Sequence, residues 1–121
     1  MVTVSKNGVV ALTRGDSFSI PLIINAGTKL KPVRRILVDG DEIFFGLMEP
    51  NQPFEDALIR KKYTKDDTNK LGDVVIKIEP DDTACLIPGK YYYQIKAKLI
   101  KDDGTYDVNT IIDKTEFFIT E

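Results

Sequence analysis

The feature that most constrains this chain is strict two-residue alternation. It is longest at Tyr91, Tyr93, Ile95, Ala97 and Leu99, which interleave with Tyr92, Gln94, Lys96 and Lys98. Successive side chains of a strand point to opposite faces, so this pattern describes a strand with one face in a core and one toward solvent. It recurs at Val74, Ile76 and Ile78, with Lys77 outward. Phe18, Ile20, Leu22 and Ile24 also alternate, with Ser17, Ser19 and Pro21 opposite. Pro21 has no N–H for a ladder, which predicts an edge strand or a bulge there. Val9 to Leu12 makes a short first strand. Val108, Thr110 and Ile112 mark another, and Phe117 with Ile119 a last one. Ile43 to Met48 is continuously apolar, the mark of a central strand covered on both faces.

Turn signals separate these runs. Asp39-Gly40-Asp41, Pro50 to Pro53, a turn around Gly72, Pro80 to Thr83 and Pro88-Gly89 all break the chain, and Asp102-Asp103-Gly104-Thr105 reads as a hairpin tip. Helical signals are few. Glu55 to Lys62 fits a helical turn or a short strand, and Asp81 to Leu86 one short turn capped by Asp81 or Asp82. Strands with turns every eight to twelve residues predict an all-β sandwich of about seven to eight antiparallel strands, a single domain over residues 1–121. No repeat, linker or low-complexity segment interrupts it. A chain of this length can bury a core without metal or disulfide staples.

Leu86-Ile87-Pro88-Gly89-Lys90-Tyr91-Tyr92-Tyr93 carries a fold resemblance. The pattern Leu-x-Pro-Gly-x-Tyr-x-Tyr resembles the crossover before a late strand of immunoglobulin-like and fibronectin type III domains. Leu86 would plug the end of the core, and Pro88 and Gly89 would make the corner. Tyr91 or Tyr93 would return its hydroxyl to upstream backbone, as in a tyrosine corner.

The composition excludes several functions. A formal net charge of -2, from 17 basic and 19 acidic residues, is not that of a nucleic-acid binder. The basic groups Lys29, Lys31, Arg34, Arg35 and Arg60, Lys61, Lys62 lie near acidic ones and read as a mixed solvated surface. No apolar run approaches the ~20 residues of a membrane helix, and no classical signal peptide is expected. These features describe a soluble protein. With no histidine, Ser-His-Asp and Cys-His schemes are closed and a zinc site is improbable. No enzyme, cofactor or metal is expected.

The remaining candidates have bland readings. Cys85, the single cysteine, is expected to be buried and structural. The pairs Asp39/Asp41, Asp66/Asp67, Asp81/Asp82 and Asp102/Asp103 are read as turn formers rather than a glycosidase pair across a cleft. Asp39, Asp41 and Glu42 have oxygen donors that suit calcium, but the EF-hand spacing is absent. Arg14-Gly15-Asp16 matches an adhesive tripeptide and fits equally a turn into the Phe18 strand. Tyr91 to Tyr93 could stack on sugar, but alternation sends Tyr91 and Tyr93 to the core and leaves Tyr92 exposed.

A wider resemblance rests on Arg14-Gly15-Asp16-Ser17-Phe18, on Asp39-Gly40-Asp41 before Ile43 to Gly46, and on Leu58-Ile59-Arg60-Lys61. Asp82-Thr83, the Pro88-Gly89 corner with Tyr91 to Lys96, Thr110 to Ile112 and Thr115 to Ile119 continue it. In order and pattern the chain resembles small phage and prophage tail-associated proteins of Gram-positive hosts. It is similar to the N-terminal immunoglobulin-like domain of phage baseplate upper proteins. The chain ends just after the last strand, without that family's longer C-terminal regions. The resemblance therefore implies either a piece of such a protein or a small stand-alone relative. It also implies a non-enzymatic virion part, made in the bacterial cytoplasm, whose partners are other phage structural proteins or further copies of itself. The alternative is an immunoglobulin-like module of a larger bacterial protein that binds carbohydrate or a cell surface.

Overall fold

A computed structural model describes residues 2–4, 8–22, 24–27, 32–34 and 36–121. The fold is all-β and sandwich-like, as the alternation predicts. Its strands are β1 (Val2–Val4), β2 (Val10–Thr13), β3 (Phe18–Leu22), β4 (Asn25–Gly27), β5 (Pro32–Arg34), β6 (Glu42–Met48), β7 (Ile59–Tyr63), β8 (Val74–Ile78), β9 (Gly89–Ile100) and β10 (Tyr106–Thr120), with one short helix, α1 (Pro80–Ala84). The large sheet has the order β1-β2-β10-β9-β6-β7, and β3 pairs with β8 in a second sheet. A small hairpin, β4 with β5, stands apart in pairing.

Two details correct the sequence expectation. The sheet is mixed, because β2 runs parallel to the end of β10. The two strands expected at Val108 to Ile112 and at Phe117 to Ile119 are one long strand. Its register against β9 slips between Thr110 and Ile112 and again between Ile112 and Thr115. These irregularities let one strand run through both segments while its buried face changes parity.

The core lies between the sheets. Val74, Ile76 and Ile78 of β8 meet Leu12, Ile43, Phe45, Leu47, Tyr91, Tyr93, Ile95, Ala97, Phe117 and Ile119 of the large sheet. The outer face of β6 is also covered, as its apolar run predicts. A 3-10 turn at Phe54–Asp56 lies over Gly46 so closely that an added Cβ would meet Phe54 Cε2 at 2.7 Å.

The corner takes the predicted form. Tyr91 donates its hydroxyl to the Ile87 carbonyl four residues upstream at 2.6 Å, the tyrosine corner of immunoglobulin-like sandwiches. Tyr93 donates to the Gly8 carbonyl at 2.6 Å, tying the long strand to the start of the chain. Leu86 is half-buried against the core. In α1 the cap is Glu79, not Asp81 or Asp82. Asp82 instead reaches back to accept from the Glu79 N–H at 2.7 Å.

Candidate functional site

β9 and β10 form a long hairpin whose tip lies at residues 101–105. Its tip closes with Lys101 N–H donating to the Thr105 carbonyl at 2.7 Å and Gly104 N–H to the Lys101 carbonyl at 3.0 Å. Asp103 clasps the tip from within by accepting from Thr105 Oγ1 at 2.6 Å and Thr105 N–H at 3.0 Å. The hydroxyl bond first, and the backbone bond second, hold the Asp103 carboxyl below the usual carboxylate range.

Beyond the tip, β10 is bound on one side only among the described residues. β9 pairs with it from Tyr106 onward, but β2 reaches only Phe117 to Thr120. Backbone direction in this stretch follows from the pairing. Lys101 bonds across to Thr105, whereas the Ile100 N–H points the other way, to Asp41 Oδ1 at 2.7 Å. Antiparallel ladders alternate, so the Leu99/Asp107 and Ala97/Asn109 pairs exchange bonds. The N–H and C=O groups of Tyr106, Val108 and Thr110 therefore face away from β9. Among the described residues nothing pairs with them.

The side chains of this edge are exposed as well. Tyr106 is 55% exposed and Val108 60%. They share the outer face with Lys98, whose Nζ lies 4.3 Å from the Tyr106 ring centre. The only charge on the stretch from Tyr106 to Ile112 is Asp107, and Lys101 of the same chain meets it at 3.1 Å.

Three other described edges, on β3, β8 and β7, carry shielding features. Pro21 sits in β3, on the two-stranded sheet, where its missing N–H costs no ladder bond. On β8 the Tyr63 hydroxyl accepts from the Lys77 N–H at 3.1 Å and faces its carbonyl at 3.3 Å, while Thr68 bridges Val74. Burial pushes the Tyr63 phenol above its ordinary pKa, and the Lys77 N–H opposes that shift. The outer strand β7 carries Arg60, Lys61 and Lys62, charges of the kind that protect a sheet edge.

A second feature is an apolar cleft of about 260 Å³ between the sheets. Phe18, Ile20 and Leu22 wall one side, with Phe45, Ile95 and Ile112 opposite. Tyr93 is the one titratable side chain among its described lining residues, and burial holds that phenol above its ordinary pKa. Such a wall can take apolar atoms, and its described residues offer no charged group to orient a polar ligand.

The other sequence candidates fall as follows. Cys85 is exposed, against the expectation of burial. It caps the C-terminus of α1, whose inward residue is Thr83, so the cysteine turns outward. The carboxylates of the Asp39-Asp41-Glu42 group diverge. Asp39 meets Lys65 at 2.6 Å, Glu42 meets Lys62 and Lys98, and Asp41 accepts from the Val38 and Ile100 N–H groups. Asp67, Asp82 and Asp103 accept backbone N–H bonds in their turns, as expected of turn formers.

Arg14-Gly15-Asp16 is a turn, with Gly15 at φ +85° and its N–H on Thr83 Oγ1 at 2.9 Å. Tyr91 and Tyr93 are in the core. Tyr92 is half-buried rather than exposed, with Lys90 Nζ 5.4 Å from its ring centre. Lys29, Lys31 and Arg35, and the side chain of Arg34, lie outside the described residues. Sequence reasoning missed the free edge. The signal that could have found it is the β-prone run from Tyr106 to Ile112, which has one charge and no proline. Comparison with family models, curated proteins and solved structures finds no match to this chain.

Proposed function

We propose that this chain is a non-enzymatic structural module that joins another protein chain, a different one or a further copy of itself, by strand addition to the free edge of β10, and that it serves in a phage tail or baseplate. The observation that carries the reading is the contrast between edges. β3, β7 and β8 each carry a device against pairing, whereas the stretch Tyr106–Thr110, ahead of the register slip, has no proline or lysine and only one charge, Asp107, which Lys101 of the same chain already meets. The hairpin holds this edge on a rigid frame, which suits a building block. The phage assignment rests on the order of motifs in the sequence. A sugar-binding module would need an aromatic platform, and Tyr91 and Tyr93 are packed inside.

Reading the genes beside this one and co-expressing their products with it tests the proposal. Tail, portal or baseplate neighbours, with a complex that the Val108→Lys substitution breaks, support it. Neighbours encoding polysaccharide enzymes, or an in-frame surface protein, overturn the phage assignment. A complex indifferent to Val108→Lys, in a chain that also does not self-associate through this strand, overturns the edge.

A further inference from the structure

We infer that the strand added to the free edge of β10 is the same edge of a second copy, in a two-fold antiparallel pair centred on Val108. The inference rests on the edge-binding reading above and names its partner. The residues whose backbone groups face outward are Tyr106, Val108 and Thr110, and the slip after Thr110 ends the regular ladder. The middle of that stretch is Val108.

Two copies related by a two-fold axis there exchange both backbone bonds between Val108 and its counterpart. Tyr106 of each pairs with Thr110 of the other. On the outer face the two valines then touch, flanked by the tyrosine rings, in one apolar stripe. On the opposite face Asp107 meets Asn109, a carboxylate beside an amide that can donate to it. No like charges are set across the axis. A register one residue earlier would place Asp107 against Asp107, which is unfavourable. A register one residue later would run the pairing into the slip between Thr110 and Ile112. The edge is thus complementary to itself in one register, and the large sheet continues across the axis into its copy. An interface of this length belongs to the small, reversible class.

Sedimentation velocity over a concentration series up to about 1 mM reads the association. The expected result is a monomer–dimer equilibrium for the wild type, and a monomer for Val108→Lys at every concentration with an unchanged melting curve. Cysteine pairing reads the register. In a Cys85→Ser background, Val108→Cys should oxidise to a disulfide dimer. Hydrogen-bonded partners sit about 5.5 Å apart at Cα, within the span of a disulfide. Tyr106→Cys alone should not, because its own copy lies four residues away, about 13 Å. Tyr106→Cys mixed with Thr110→Cys should cross-link.

A wild type that stays monomeric throughout overturns the inference, as does a dimer that Val108→Lys leaves intact. If the chain is monomeric but Val108→Lys still breaks its complex with a neighbouring gene product, the self-pairing is wrong and the edge-binding reading stands. If that complex also ignores Val108→Lys, both fall.

Discussion

Replacing Tyr93 separates packing from hydrogen bonding at the centre of the fold. Its ring is 7% exposed, stacks on Phe45 with centroids 5.9 Å apart, and meets Phe117 edge-on at 6.1 Å. Truncating a buried aromatic ring to alanine costs about 3–5 kcal/mol, more where the void cannot collapse or fill. Tyr93 also lines the apolar cleft, so the space left by its ring merges with one already open. That places Tyr93→Ala near the low end, about 3 kcal/mol, out of a total stability of roughly 5–15 kcal/mol for a domain. Tyr93→Phe keeps the ring and loses only the bond to the Gly8 carbonyl. Gly8 is half-exposed and water can replace the donor, so about 1 kcal/mol is expected. Urea unfolding followed by circular dichroism measures both. With a slope of about 1.5 kcal/mol per molar urea, alanine should lower the midpoint by about 2 M and phenylalanine by less than about 1 M. An alanine variant that unfolds within about 0.5 M of wild type would refute the placement of this ring in the core.

Asp41 is 1% exposed and holds the Val38 and Ile100 N–H groups at 3.0 and 2.7 Å, so Asp41→Ala strands two donors. A loss of about 2–4 kcal/mol in the same urea assay is expected. Gly46→Ala should cost about 1–2 kcal/mol by pushing the Phe54 ring off β6, and should also shift the NMR signals of Lys96, whose Nζ lies 4.7 Å from that ring's centre. Tyr63 and Tyr93 keep their protons more tightly when folded than when unfolded. Their contribution is therefore complete below the ordinary tyrosine pKa, about 10, and is lost as pH rises through the higher folded values. The urea midpoint should fall above that pH, and a Tyr63→Phe/Tyr93→Phe double variant should fall less steeply.

The parts of this fold legible in the sequence are those where one strand's own side chains decide the outcome. Tyr91 to Leu99 alternates because one face is core, and the observed burial follows it residue by residue as far as Ala97. Pro21 announces an edge by lacking a donor. The tyrosine corner is legible because Pro88-Gly89 and Tyr91 are close in sequence. Pairings between distant segments are not legible. Nothing in Val10 to Thr13 says that it runs parallel to Phe117–Thr120 rather than antiparallel to another strand. The short β4 and β5, at Asn25–Gly27 and Pro32–Arg34, have too few apolar residues to alternate. The exposure of Cys85 is not legible either, because a residue-type tendency toward burial ignores where the helix points it.

The free edge belongs to that second class, which is why alternation alone misled there. Val108, Thr110 and Ile112 read as one alternating strand, yet the slip after Thr110 puts Val108 and Ile112 on different faces. Val108 pairs with outward Lys98, and Ile112 with buried Ile95. The segment's β-prone composition would stabilise a strand inside a sheet, but β2 stops short of covering it. An uncovered edge of this kind invites uncontrolled pairing between chains, and shielding it would take a single lysine or proline. The same chain carries proline on β3, a tyrosine clasp on β8 and three cations on β7. Among the described residues the stretch of β10 from Tyr106 to Thr110 has no lysine or proline of that kind, and the proposed edge pairing rests on this contrast. Installing Lys at Val108 should improve the solubility of the isolated chain while removing its capacity to assemble, and those two effects should appear together.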